Sequence, residues 1–131
     1  MASGLEKYAT LIFLIADRDQ VVHIRVVPAG TAAVIELWRG DAWEELDLTD
    51  RSAPLHMPLM RHFALMLLGE MPGQGATLTG TFALERDGKP DIRVLGALAH
   101  DFEVSAYFEL VDAATYETGR APQPPRNPAC A

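Results

Sequence analysis

Asp87 and Gly88 separate two runs rich in strand-forming residues. A two-residue Asp-Gly connection takes positive φ angles and carries the backbone twist that paired antiparallel strands need. Thr77 to Arg86 and Lys89 to Gly96 are therefore predicted to form a hairpin, with Phe102 to Val111 as a further strand beside it. An isolated hairpin is marginal in water, so this ribbon requires helices or more strands against it.

The preceding residues supply both. Ser3 and Glu6 have capping-box spacing, and Leu5, Tyr8, Ala9, Ile12 and Ile15 recur on one face of a helix ending near Asp17. β-Branched residues from Val21 to Val27 predict a strand closed by Pro28 and Gly30, and a second runs from Ala32 to Trp38. Gly40 and Asp41 suit a tight turn into a third strand, with Ala42, Leu46 and Leu48 on one side and Trp43, Glu45 and Asp47 on the other. Pro58 fits the first turn of a second helix, whose core face is Leu59, Phe63 and Leu67, joined by Met60, Ala64 and Met71 before Pro72 and Gly73 stop it. Helix, three strands, helix, three strands predicts an α+β domain: a largely antiparallel sheet of about five to six strands with two helices packed on one face.

At 131 residues the chain suits one domain, assigned to residues 1–118, and Pro122, Pro124, Pro125 and Pro128 predict a disordered tail over 119–131. The net charge of −7 without a basic cluster argues against nucleic acid and anionic membranes as partners. The longest apolar runs are six residues, against the roughly 20 of a membrane span, and no cleavage site follows the first of them; a cytoplasmic location without membrane insertion is expected. Cys130, the one cysteine, has no intramolecular disulfide partner.

The sequence holds no local catalytic signature. His23, His56, His62 and His100 lack metal-ligand spacing, Ser3, Ser52 and Ser105 lack a nucleophile elbow, and Gly69, Gly73, Gly75 and Gly80 lack the Lys-Ser/Thr ending of a phosphate loop. The expectation is a protein that is not an enzyme and uses no cofactor or metal. Asp41, Glu44, Glu45, Asp47 and Asp50 form the densest acidic stretch, with Trp38 and Trp43 beside them. A tryptophan alternating with acids is a candidate docking surface for a basic protein. Met57, Met60, Met66 and Met71 around the second helix suit core filling better than an adaptable groove.

Two stretches carry a family resemblance. Gln20, Val21, Val22, His23, Ile24 and Arg25 follow the first helix, and Leu78, Thr79 and Gly80 precede Asp91, Ile92, Arg93 and Val94. Over roughly residues 5–112 this series resembles the second N-terminal domain of type II secretion and type IV pilus motor ATPases. That family has a Ser-Asp-Ile-His-Ile-Glu-Pro strand and an Asp-x-Arg-Val strand; the His-Ile pair is what this chain keeps of the first. The resemblance implies a non-catalytic module docking on secretion machinery, with Arg93 sensing nucleotide held by a separate ATPase chain. The element order is also similar to YezG-type toxin immunity proteins, which implies a toxin as partner, met through an acidic face. Type III secretion chaperones share a related layout but end in a helix where Phe102 to Val111 is predicted as a strand. The residues expected to meet a partner are Trp43, Glu44, Glu45, Asp47 and Arg93, and a homodimer through an edge strand is compatible with this order.

Overall fold

A computed structural model describes residues 4–48 and 51–125. Ser3 of the capping box, Asp50 of the acidic stretch, and Pro128 and Cys130 of the tail lie outside them. Helix α1 (Gly4–Arg18) carries the expected apolar stripe, burying Ala9, Ile12, Phe13 and Ala16. It leads into β1 (His23–Ala29), β2 (Ala32–Trp38) and β3 (Trp43–Glu45), then α2 (His56–Met66), β4 (Thr77–Arg86), β5 (Lys89–His100), β6 (Val104–Val111) and α3 (Ala113–Thr118). The strands form one six-stranded sheet, ordered β3-β2-β1-β6-β5-β4, in which every neighbouring pair is antiparallel. This is the α+β architecture expected.

Both long helices cover one face. Phe13 of α1 sits edge-on to Phe108 of β6 (5.0 Å between centroids), Phe82 of β4 (5.2 Å) and Phe63 of α2 (6.2 Å), and Phe63 meets Phe108 at 4.8 Å. Edge-to-face pairs contribute about 0.5–1.5 kcal/mol each beyond the area they bury. Strand alternation adds Ile24, Val26, Ile35, Leu37, Val94 and Leu98 to this layer.

Several boundaries differ from expectation. The third strand stops at Glu45, and Asp47 lies in a turn, because the chain bends down to α1, where Tyr8 Oη donates to Leu48 O (3.0 Å). Helix α2 ends at Met66, well before Pro72. Leu68 adopts φ +58°, its N–H reaches Leu65 O, and the Gly69 N–H reaches Ala64 O, a left-handed cap closed by leucine. Strand β5 runs past Gly96 to His100. Gly96 is interior because Leu67 and Phe108 fill the space a side chain would take, with a built Cβ 2.9 Å from Leu67 Cδ2. Gly80, inside the expected Thr77 to Arg86 strand, is kept bare for the same reason: there a Cβ would stand 2.9 Å from Leu67 O.

Strand β6 starts at Val104, leaving Phe102 in the turn. Helix α3 carried no apolar periodicity in the sequence. Asp112 caps it by accepting from the Thr115 N–H (2.8 Å), and Gly119 at φ +63° closes it. Residues 119–125 then lie along the sheet face opposite α1 and α2, where Arg120 meets Glu109 and Gln123 meets both Glu109 and Tyr107.

Candidate partner-binding site

On the face away from the long helices, side chains from four strands form an aromatic and charged cluster. The β2–β3 turn, with Gly40 at φ +92° and the Arg39 N–H on Ala42 O, sets Trp43 opposite Trp38 and Glu45 opposite Glu36. The two indoles meet edge-on at 5.4 Å. Two glutamates facing each other across a pair would repel, but each has its own cation: Arg25 Nε donates to Glu36 at 2.8 Å, and Arg51 pairs with Glu45. Arg25 is placed by the β1–β2 register, which sets it opposite Glu36, and its guanidinium lies 4.2 Å from the Trp43 ring centroid. Tyr107, opposite Arg25 on β6, completes the group at 6.1 Å from Trp43.

A second row runs alongside. His23 lies opposite Glu109, which is 8% exposed and receives both Arg120 amines (2.9 and 3.0 Å) and the Gln123 N–H (2.9 Å). Burial pushes the Glu109 carboxyl upward, yet the Arg120 and Gln123 hydrogen bonds outweigh it and hold the group below its ordinary value. Tyr107 Oη donates its one proton to Gln123 O (2.9 Å), so His23 Nδ1 must donate to it (2.9 Å). Burial lowers the His23 pKa, with the Glu109 charge opposing, and raises that of Tyr107, helped by Glu109. The neutral forms of both are favoured.

The residues singled out from sequence divide among three places. Trp43, expected on a wet face, is half-buried within the cluster, and Glu45 is at its rim. Glu44 points the other way, opposite Leu37, and joins Arg39 (3.2 Å) and Asp47 around a cleft of about 490 Å³ that also holds Arg18 and Asp19. Asp19 accepts from Arg18 (2.8 Å) and Arg39 (3.1 Å), which lower its pKa in that order. The hairpin is thus charge-balanced rather than uniformly acidic. Arg93, on β5, lies four strands from β3 and lines a separate cleft with Asp17, Asp91 and Asp112.

Sequence reasoning missed Arg25, Glu36, Tyr107, Glu109 and Arg120. The first pair had a legible signal: a turn at Gly30 and Thr31 puts Arg25 across from Glu36. The histidines do not converge on one point. His23 serves Tyr107, His56 Nε2 bonds Val104 O, His100 Nδ1 bonds Pro72 O, and His62 lies against Phe63, although His56 and His100 border one groove. Among the described residues no three His, Cys, Asp or Glu side chains form a metal-holding group, and no helix is long and apolar enough to cross a membrane. No protein-family model matches the chain, and no curated protein matches it in sequence.

Proposed function

We propose that this chain is a non-catalytic protein-interaction module that meets its partner through the Trp43 hairpin and the aromatic cluster behind it. The observation that carries this reading is the stack of Arg25 on Trp43, flanked by Trp38 and Tyr107 at the short-strand edge of the sheet. Tryptophan, tyrosine and arginine held rigid before binding lose little entropy on association and dominate interface energetics. The carboxylates here are committed to guanidinium partners and His23 to Tyr107, an arrangement suited to fixing a surface.

A cytoplasmic protein is the partner proposed, either a secretion or pilus ATPase component or a toxin. Three carboxylates around Arg93 disfavour a phosphate beside it, which weighs against nucleotide sensing. A second copy of the chain is a further partner, favoured by the unpaired edge of β4.

Affinity capture with the intact chain and with a Trp43→Ala, Glu45→Lys double variant tests the site. The double variant is expected to lose most of the partner recovered by the parent, whereas Arg93→Ala retains it. Equal recovery by the double variant removes the hairpin from the interface.

A further inference from the structure

Residues 120–125 cross the sheet face that bears the Trp43 cluster in neither helix nor strand. Arg120 and Gln123 fix them there. The Arg120 guanidinium meets both oxygens of Glu109 (2.9 and 3.0 Å), the Gln123 N–H donates to Glu109 Oε1 (2.9 Å), and the Gln123 carbonyl accepts from Tyr107 Oη (2.9 Å). His23 Nδ1 donates to the same Tyr107 oxygen (2.9 Å), so the receiving groups are oriented by β1 and β6 rather than by the segment they hold.

These contacts read one arginine side chain and the backbone three residues later. None of them uses the Gln123 side chain, which is exposed. Pro122 and Pro125, both half-buried, have no N–H to satisfy and a fixed φ, which keeps such a segment extended and lowers the entropy lost on docking. A foreign chain with the same features would meet the same groups.

The segment is lightly held, whereas the groups beneath it need a cover. None of residues 120–125 is buried, and among the described residues no backbone–backbone hydrogen bond joins them to the sheet. Contacts this few let a segment open at small cost. Glu109, by contrast, is 8% exposed, and Leu95 opposite it on β5 is wholly buried although it faces away from both long helices. A carboxylate so enclosed is costly to leave without donors, so an opened strap leaves a site that favours a replacement.

We propose that Glu109 and Tyr107 form a receptor for an extended, proline-rich, arginine-bearing segment of a partner polypeptide, and that residues 120–125 occupy it in cis as an autoinhibitory strap which that segment displaces. This rests on the reading that the Trp43 face meets the partner; Tyr107 belongs to both places, its ring 6.1 Å from Trp43. Arginine supplies the planar fork that a carboxylate accepts with two parallel bonds, which lysine cannot match. A net charge of −7 draws a basic segment toward the chain. The tether gives the strap a high local concentration, so weak ligands are excluded and a segment that also engages Trp43 gains the advantage.

The test titrates the intact, ¹⁵N-labelled chain and its Arg120→Ala variant with acetyl-Arg-Ala-Pro-Gln-Pro-Pro-amide, which repeats residues 120–125, and with the same peptide carrying alanine in place of arginine. The variant is expected to bind the arginine peptide about tenfold more tightly than the parent does, because its own strap competes less. The alanine peptide is expected to bind the variant about tenfold more weakly than the arginine peptide. Saturating the parent should shift the Tyr107 and Glu109 amides and move the Arg120 Nε–H resonance to that of an unbound arginine. Gln123→Pro removes the N–H given to Glu109 from an exposed position and is expected to behave as Arg120→Ala does, so the result does not hang on one variant. Equal affinity of parent and opened variants, equal binding of the two peptides, or binding that leaves Arg120 in place would overturn the proposal. Parent affinity for the peptide that falls as chain concentration rises would assign the receptor to the tail of a second copy and overturn it too. Capture lost by the Trp43→Ala, Glu45→Lys variant would stand through any of these results, which separates failure of the strap from failure of the hairpin site.

Discussion

Glu109, His23 and His56 show how single residues set the response of this protein to acid. A carboxyl held below its ordinary value stabilises the fold above its unfolded pKa, and that contribution disappears as pH falls through the folded pKa. For a histidine whose folded pKa is lowered, the unfolded chain takes up the proton first. The stability of the neutral ring is therefore present above the ordinary value of 6.5 and is lost as pH falls below it toward the folded pKa. All three groups act in the same direction. The urea midpoint is expected to fall between about pH 7 and pH 5, where histidine changes charge. His56→Gln keeps an N–H for Val104 O but cannot titrate, so it should flatten that slope; an unchanged slope would exclude His56 as its source.

Among the elements, the join between α2 and the β4–β5 hairpin imposes the tightest packing. Leu67 fits because Gly80 and Gly96, on paired strands and directly opposite each other, present bare backbone to it. Leu68 pays for this closure with a left-handed φ, a conformation that costs a residue with a side chain roughly 1–2 kcal/mol. Gly80→Ala would drive a methyl into Leu67 O, which is backbone and yields only if the helix end moves. Its expected cost is about 1–3 kcal/mol, the range of overpacked cores, read from chemical denaturation. A neutral substitution would mean that the helix end is free to shift. Neither glycine announced this role in the sequence. Gly96 reads locally as the end of a strand and Gly80 as an ordinary strand position, since what they accommodate comes from a helix distant in the chain.

For the whole molecule, the two sheet edges differ. Strand β3 is three residues long and guarded by Glu44, Glu45 and Arg51, whereas β4 offers ten residues without proline, its charges confined to Glu85 and Arg86 at one end. Leu68, 92% exposed, lies between Leu67 and Gly69, which touch Gly80 and Leu78 of that strand. Natural sheets usually protect such edges with charge, proline or a covering element. Sedimentation equilibrium is expected to show a dimer that Leu68→Lys dissociates; a parent chain that stays monomeric removes the second copy as a partner.

Elements with local causes are legible in the residues alone: the α1 stripe, the Asp87-Gly88 hairpin, the extent of β2 and β4, and the position of Pro58 inside the first turn of α2. Capping, turn chemistry and apolar periodicity act over a few residues, so they can be read without knowing the fold. The α+β class followed from their order. The insertion of β6 beside β1 needed the folded chain; it sets Tyr107 against Arg25 and Glu109 against His23 across more than 80 residues of chain. That pairing has no turn to fix its register. It is selected by burying Phe108 and Ala106 under the helices, and the aromatic cluster, the Arg120 clasp and the groove at His56 all depend on it.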